Sequence, residues 1–166
     1  MSNLSAEEIL MIAEEAEVKA GAFYRKAAGL PSNLRHRDYL RDLARMEDGH
    51  AKTFAALRKE WVKAGKAAVT SDPYGDLQLY INALVKGSSG EGSAEAEEEL
   101  NAKSKLADIL RIACEREKQS ILLYLGLRDM AGTPADREKI DFIIGEERKH
   151  LATLSAKLKE LEGNPL

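Results

Sequence analysis

A pattern of glutamate, tyrosine and histidine occurs twice in this chain, and every residue of the second copy follows its counterpart by 100 residues. Each copy contains one glutamate, a tyrosine seven residues later and a Glu-x-x-His motif; the eight residues are Glu17, Tyr24, Glu47, His50, Glu117, Tyr124, Glu147 and His150. One Glu-x-x-His motif would arise by chance in a glutamate-rich chain, whereas two in register indicate an internal repeat. A glutamate helix followed by a Glu-x-x-His helix, used twice, supplies the ligands of a dinuclear metal site in a four-helix bundle.

The composition predicts one all-α domain. The chain has 166 residues, which is long enough to bury a hydrophobic core without disulfides or structural metals. It is 44% hydrophobic and 32% charged but only 5% aromatic, and this usage is typical of helical proteins. We therefore expect residues 1–166 to form a single all-α domain.

Charge, cysteine content and hydropathy exclude several kinds of partner. The net charge is −3 with both signs interspersed, so no basic surface for nucleic acid is expected. The single cysteine, Cys114, rules out an internal disulfide and any four-cysteine iron or zinc module in this chain. The acidic start of the sequence does not look like a signal peptide, and no apolar stretch reaches the ~20 residues of a membrane span. We expect a cytoplasmic protein without a nucleic-acid or membrane partner.

Signals at helix ends predict a first helical hairpin over residues 5–63. Ser5 opens a capping box at the start of the first helix, which ends near Gly29. The second helix begins at residues 32–34 and ends near Lys63. Because only a short turn separates the two helices, we expect them to pack antiparallel.

A second helical hairpin is predicted over residues 101–163. Its first helix begins somewhere in the range 93–104 and ends near Ala131. Its second helix has Thr133 as N-cap, a proline at the first helical position and Gly163 at its end. These two helices also form an antiparallel pair.

Residues 64–100 form the predicted crossover between the hairpins. Residues 73–85 carry apolar side chains at helical spacing and predict a short helix packed on the bundle. Residues 86–93 predict a flexible, glycine- and serine-rich tract, and the acidic run 97–99 predicts a solvated helix start. A connection of this length can travel the full length of the bundle, which allows the third long helix to run parallel to the second.

The repeated residues lie on the helix faces that the periodicity assigns to the core. In each long helix, glutamate or histidine interrupts an apolar stripe spaced three and four residues apart. The stripe of the second helix, for example, is Leu40, Leu43, Glu47, His50, Phe54, Leu57 and Trp61. Glutamate and histidine three residues apart share a face of a helix, so both side chains can reach one ion.

Four buried carboxylates close together would repel one another, and each would cost several kcal/mol to desolvate without a partner. They must be protonated, paired with cations or bound to metal. Two divalent ions would balance the four charges, and the predicted metal ligands are Glu17, Glu47, His50, Glu117, Glu147 and His150. Oxygen and imidazole ligands without thiolate favour iron or manganese over structural zinc. We expect two iron ions, with manganese or zinc as alternatives. The repulsion also predicts that Glu147→Ala stabilises the metal-free protein.

Other residues of these faces have more than one interpretation. Tyr24 and Tyr124 are either packing residues or candidate catalytic residues that act through the ligands, because a buried phenol needs a hydrogen-bond partner. A ligand carboxylate across the bundle could serve as that partner. Cys114, one turn before Glu117, is interpreted as a small buried hydrophobic residue.

The chain resembles the rubrerythrin-like branch of the ferritin-like superfamily over essentially its whole length. The resemblance rests on the two Glu…Tyr pairs, the two Glu-x-x-His motifs and the long connection between the hairpins. It implies a ferritin-like four-helix bundle with a non-haem di-iron site. Glu47 and Glu147 would bridge the irons, Glu17 and Glu117 would be terminal ligands, and each iron would carry one histidine.

Two features depart from the rubrerythrin pattern. Rubrerythrins carry a four-cysteine rubredoxin-type domain that supplies electrons, and this chain has no such set of cysteines. They also have an extra glutamate one turn after the third-helix ligand, where this chain has Ser120, with Ala20 at the repeated position. The resemblance therefore implies a more symmetric site and a reductant on a separate protein.

The leading functional hypothesis is a di-iron redox protein that reduces hydrogen peroxide or dioxygen. Its two ferrous ions would each give one electron to a small oxidant, a separate electron-donor protein would restore them, and we expect a homodimer. The first alternative is a ferroxidase that stores or delivers iron. The second is a metal-free structural or interaction bundle.

Overall fold

The computed structural model describes residues 5–65, 75–89, 100 and 104–163. Within these ranges it has five helices and no strands: α1 (Ala6–Ala27), α2 (Leu34–Lys63), α3 (Asp76–Ser89), α4 (Leu106–Met130) and α5 (Pro134–Leu161). The predicted all-α fold class is confirmed. The extent of a single domain over residues 1–166 stays a prediction, because parts of the crossover lie outside the described residues.

Helix ends with clear capping residues fall where the sequence predicts them. The Ser5 amide donates to Glu8 Oε2 at 2.7 Å and the Glu8 amide donates to Ser5 Oγ at 3.2 Å, so the predicted capping box is present. At the start of α5, Thr133 Oγ1 accepts from the Asp136 amide at 3.2 Å. Side-chain acceptors satisfy backbone donors that a helix start leaves free, and this fixes the start of each helix.

The start of α4 lies later than the range 93–104. Residues 104 and 105 are not helical, and the Lys105 amide donates to Asp108 Oδ2 at 3.0 Å as the helix begins. Asp108 thus accepts a backbone hydrogen bond at the helix start although Lys105 carries no capping oxygen. The acidic run 97–99 lies outside the described residues.

The predicted flexible tract is wrong for residues 86–89, which form the last turn of α3. Its glycine costs a helix only about 1 kcal/mol, which does not prevent the helix from continuing. The rest of the tract, 90–93, lies outside the described residues. The predicted helix over 73–85 corresponds to the first ten residues of α3 from Asp76 onward.

The four long helices form a bundle of two hairpins, with α1 packed chiefly on α2 and α4 chiefly on α5. Contacts between the hairpins give the direction of α4. Tyr24 contacts Glu117 and Glu17 contacts Tyr124, so residue order is reversed between α1 and α4, and these helices are antiparallel. Since α1 is also antiparallel to α2, helices α2 and α4 run parallel, as the long crossover requires.

Two apolar cores fill the bundle, one toward each end. The first core contains the start of α1, the end of α2, the end of α4 and the start of α5. The second core contains the end of α1, the start of α2, the start of α4 and Leu154 of α5. The repeated glutamates and histidines lie between the two cores. The bundle therefore buries a polar layer with hydrophobic packing above and below it.

Helix α3 packs on α4 beside the first core. Ile81 is fully buried in that core, and the Tyr80 hydroxyl donates to the Leu122 carbonyl at 2.6 Å. Gly126 permits the close approach, because a Cβ at this position would lie 2.9 Å from Tyr80 Cε1 and 3.2 Å from the Ile81 side chain. Among the described residues, no helix combines the length and apolar character needed to cross a bilayer.

Candidate metal centre

The structure brings together all six predicted ligands in the layer between the two cores. Each comes from the core-facing side of its helix, with one glutamate on α1, one on α4 and a Glu-x-x-His pair on each of α2 and α5. These residues are between 1% and 6% exposed: Glu17, Glu47, His50, Glu117, Glu147 and His150. Polar groups this deeply buried must find partners or ions.

The six residues divide into two overlapping groups, each able to hold one metal ion. The first group is Glu17, Glu47, His50 and Glu147, and the second is Glu47, Glu117, Glu147 and His150. In each group one ligand atom per residue lies within 4.8 Å of all the others. Glu47 and Glu147 belong to both groups, so they occupy the positions from which a carboxylate could bridge two ions.

Both histidines turn Nδ1 toward the carboxylates. His50 Nδ1 lies 2.8 Å from Glu147 Oε1, 3.1 Å from Glu47 Oε2 and 3.8 Å from Glu17 Oε2. His150 Nδ1 lies 3.2 Å from Glu147 Oε2, 3.4 Å from Glu47 Oε1 and 3.7 Å from Glu117 Oε1. The two imidazole rings stack with centroids 5.9 Å apart. One imidazole nitrogen thus faces each group of carboxylates.

The two repeated tyrosines connect the hairpins through the outer glutamates. The Tyr24 hydroxyl donates to Glu117 Oε1, and the Tyr124 hydroxyl donates to Glu17 Oε1. Both phenols are at most 1% exposed. The hydrogen bonds across the bundle that the sequence suggested are therefore present, and each engages one oxygen of an outer carboxylate.

Burial and mutual repulsion keep protons on the two outer glutamates. Burial raises the pKa of Glu17 to about 8, and the charges of Glu147 and Glu47 act in the same direction against the lowering effect of His50. Burial likewise raises the pKa of Glu117 to about 9. At neutral pH these two carboxyl groups are neutral in the metal-free protein.

Unlike the neutral outer glutamates, the shared glutamates and the histidines are charged. Burial alone would raise the pKa of Glu47 and Glu147, but contacts with the two histidines outweigh it, so both pKa values lie below the ordinary range. Burial alone would lower the pKa of His50 and His150, but the surrounding carboxylates raise each to about 12. Two carboxylates and two imidazoliums then give a neutral cluster.

This charge balance fits two divalent cations. Replacing the four protons of the outer glutamates and the histidines with two doubly charged ions leaves the net charge of the cluster unchanged. Glu47 Oε1 and Glu147 Oε1 are buried and have no hydrogen-bond donor within the part of the chain that the structure describes, since their contacts with the histidines are close but not directed as hydrogen bonds. Buried carboxylate oxygens in that situation are suited to coordinate metal.

Two neighbouring features bear on the site. Cys114 is buried, and its thiol lies 3.7 Å from the Ser155 hydroxyl instead of joining either ligand group. Arg25 and Asp48 form an ion pair that closes the surface between α1 and α2 beside the cluster. No sequence pattern predicts this pair, because charged residues on outward helix positions are common and no spacing signal marks them.

Comparison with known proteins identifies the architecture. The fold matches a crystal structure at 2.30 Å resolution of a protein from Thermotoga maritima that is itself a proposed ferritin-like diiron-carboxylate protein. The match has a TM-score of 0.75 and 22% sequence identity, and it covers 96% of this chain and 98% of the other. The chain has a ferritin-like fold.

Sequence comparison adds no closer relative. No protein-family model matches the chain, and no curated protein matches it. At 22% identity the structural match supports the ferritin-like fold and not a branch within it. The roles of the six residues as ligands, and the rubrerythrin-like assignment, therefore stay predictions.

Proposed function

We propose that this ferritin-like protein is a di-iron carboxylate redox protein that reduces hydrogen peroxide or dioxygen, as a rubrerythrin-like protein without a rubredoxin domain. The observation that supports it is the pair of overlapping ligand groups that share Glu47 and Glu147. Four carboxylates and two imidazoles hold two ions of a redox metal with charge balance. The structural match to a proposed diiron-carboxylate protein agrees with this assignment.

The donor set favours iron. Carboxylate and imidazole ligands bind iron, manganese and zinc, whereas a soft metal would be expected to use thiolate. The single thiol, Cys114, lies against Ser155 and belongs to neither ligand group. Iron supplies one-electron chemistry when bound: two ferrous ions provide the two electrons that, with two protons, convert hydrogen peroxide to two water molecules. If elemental analysis of the purified protein found manganese or zinc instead, the assignment of iron would be wrong.

The chain's own residues position and balance the site. Tyr24 and Tyr124 fix the orientation of the outer carboxylates by donating to one oxygen of each. Before metal binding, the Glu47 and Glu147 carboxylates neutralise the positive charge of the two histidine rings. After metal binding, the same two carboxylates can bridge two ions. Partners beyond the ligands keep a metal ligand in one orientation, which supports a defined geometry through redox cycling.

The surroundings of the cluster admit only a small substrate. The layer is closed above and below by the two apolar cores, and small residues line it, among them Ala13 and Ala113, both fully buried. Ser120 occupies the position of the extra glutamate of rubrerythrins, and Ala20 occupies the corresponding position in the first repeat. These features support a small oxidant, peroxide or dioxygen, as substrate. The proposal further includes a separate electron-donor protein and a cytoplasmic homodimer.

Anaerobic reconstitution tests the proposal. The metal-free protein is incubated with ferrous iron, desalted and analysed for iron, and we expect about two ions per chain. One equivalent of hydrogen peroxide is then added, and near-ultraviolet absorbance follows conversion to the ferric form. A protein that binds two irons but does not react with stoichiometric peroxide or dioxygen is not a reductase of these oxidants.

The same experiment separates the two alternatives. A ferroxidase would oxidise many ferrous ions per chain, and iron storage also requires a large hollow shell, which light scattering detects. A monomer or dimer excludes storage. A metal-free structural bundle would bind no iron and would show the same thermal stability with and without ferrous ions.

A further inference from the structure

An ion pair closes the surface between α1 and α2 beside the ligand cluster. Arg25 Nη1 donates to both carboxylate oxygens of Asp48, at 2.9 Å and 2.8 Å. Asp48 directly follows Glu47 in α2. The side chains are 51% and 42% exposed, respectively. The pair therefore joins α1 to α2 at the surface, one residue along α2 from the candidate ligand Glu47.

A glycine allows the carboxylate to lie unusually close to α1. A Cβ at Gly21 would lie 2.9 Å from Asp48 Oδ1 and 3.3 Å from Arg25 Nη2. Gly21 is buried and follows Glu17 by four residues, so both lie on the same face of α1. The Asp48 carboxylate thus fills the place of a side chain at Gly21, about one helical turn, ~5.4 Å along the axis, from the level of Glu17.

The second hairpin has no equivalent of this pair. The positions that correspond to Gly21, Arg25 and Asp48 in the repeat are Ile121, Leu125 and Arg148. Ile121 and Leu125 are partly buried apolar side chains. The first hairpin thus has a carboxylate paired with an arginine at these positions, whereas the second has two apolar side chains and Arg148 in place of Asp48, although the ligand set itself is repeated.

We propose that the Arg25–Asp48 pair is the gate through which divalent cations reach the cluster, with Asp48 as the first carboxylate that they meet. The inference rests on the proposed function, since it requires that the cluster bind such cations. The six candidate ligands are at most 6% exposed, so a cation must pass between helices to reach them. Half-exposed ion pairs are held weakly and open readily.

The exchange balances charge once the cation reaches the cluster. An incoming divalent cation displaces the Arg25 guanidinium from Asp48 into solvent, which leaves one net positive charge at Asp48. The cation then moves inward to Glu17 and Glu47, two protons leave the cluster for solvent, and Arg25 returns to Asp48. The gate predicts opposite effects on the rate of metal uptake for two substitutions. Loss of the Asp48 carboxylate should slow uptake, whereas loss of the Arg25 guanidinium should accelerate it.

Metal uptake kinetics test the gate. The metal-free protein is mixed with excess cobalt(II) in a stopped-flow instrument at low ionic strength, and the visible absorbance of bound cobalt reports the rate. We expect Asp48→Asn to slow uptake on the order of tenfold and Arg25→Gln to accelerate it several-fold, because a single charge beside a narrow passage steers ions. Both effects should shrink at about 0.5 M salt, and the final cobalt content should equal that of the wild type.

A control variant comes from the far end of α2. Glu60 pairs with Lys139 at 2.7 Å with comparable exposure, 56% and 42%, and it lies about 20 Å further along the helix than Glu47. Glu60→Gln should leave the rate unchanged. Equal rates for wild type and Asp48→Asn, slowing by Glu60→Gln as well, or slowing by both gate variants would overturn the gate while cobalt binding still supported the cluster. A wild-type protein that binds no cobalt would overturn both.

Discussion

Tyr24 on α1 donates its hydroxyl to Glu117 on α4, and 100 residues later Tyr124 on α4 donates to Glu17 on α1. Exchanging the two hairpins converts one hydrogen bond into the other, so the sequence repeat corresponds to an internal two-fold relationship in the bundle. Each bond joins one hairpin to the other and occupies one oxygen of an outer carboxylate. The tyrosines therefore link assembly of the bundle to the geometry of the candidate metal centre.

Replacing either tyrosine with phenylalanine should destabilise the metal-free protein and weaken metal binding. Tyr24→Phe leaves a buried oxygen of Glu117 without its donor, which costs about 1–3 kcal/mol. It also frees the carboxylate to rotate, and loss of such an outer partner lowers metal affinity by roughly 10–100-fold. Urea unfolding and competition with a metal indicator measure the two effects.

Tyr39→Phe is the matched control for this prediction. The Tyr39 hydroxyl is buried and has no hydrogen-bond partner among the described residues, so its removal should change neither the metal affinity nor the stability by a comparable amount. If Tyr24→Phe and Tyr39→Phe gave equal losses, the effect would belong to general packing and not to orientation of Glu117.

The stability of the metal-free protein should fall as pH rises above about 4.5. The raised pKa values of Glu17 and Glu117, about 8 and 9, stabilise the fold fully below the unfolded-state value of 4.5, and that contribution is lost as pH rises from 4.5 through 8 to 9. The raised pKa values of His50 and His150 act in the same direction, with loss between 6.5 and about 12. Thermal unfolding from pH 5 to 9 should show the decline. A melting temperature that rises across this range would contradict the assigned charge states.

Metal binding should show the reverse dependence on pH. At pH 7 the outer glutamates and the histidines together hold four protons that two divalent ions must displace. We therefore expect affinity to increase with pH and binding to release close to four protons per chain. Calorimetric titration in buffers of different ionisation enthalpy counts them, and release of fewer than about two would contradict the neutral cluster.

The periodicity of the sequence was sufficient to predict the ligand layer. Glu47 and His50 interrupt an apolar stripe that is otherwise leucine, phenylalanine and tryptophan, so helix formation alone places them in the core. Capping chemistry located the start of α5, because Thr133 followed by proline has few other interpretations. Both patterns lie within a single helix or at its end, so they can be recognised without knowing which helices pack against it.

Features that depend on contacts between helices could not be predicted in this way. The sequence suggested a ligand carboxylate as the partner of each phenol, but which glutamate accepts depends on the register of α1 against α4, which no local pattern encodes. The Arg25–Asp48 pair depends on the gap at Gly21, and a glycine within a helix gives no indication of what will lie against it. The start of α4 was also misplaced, because Lys105 is not a capping residue type.

Glu147→Ala should destabilise the metal-free protein, contrary to the sign expected from repulsion among four carboxylates. Glu147 is ionised and contacts Nδ1 of both His50 and His150, at 2.8 Å and 3.2 Å. Its removal leaves two buried imidazoliums facing one remaining carboxylate, and breaking such a pair costs about 3–5 kcal/mol. Metal content should fall below two ions per chain. Elemental analysis and urea unfolding check both outcomes.

Glu146→Ala provides the comparison. Glu146 pairs with Lys149 at 2.6 Å on α5 and belongs to neither ligand group, so its loss should destabilise less than the loss of Glu147 and leave metal content intact. Wild-type metal content in Glu147→Ala would remove this residue from the ligand set. A more stable metal-free Glu147→Ala protein would show that repulsion outweighs the histidine contacts.

Gly126→Ala should loosen α3 from the bundle. The added Cβ would lie 2.9 Å from Tyr80 Cε1 and 3.2 Å from Ile81, which is fully buried, so the helices must separate or repack at a cost of about 1–3 kcal/mol. Gly145→Ala is the control, since a Cβ there meets nothing within 4 Å and the better helix propensity of alanine should stabilise by up to about 1 kcal/mol. Hydrogen exchange should show reduced protection of α3 in Gly126→Ala alone. Unchanged protection in both variants would show that α3 does not depend on the contact at Gly126.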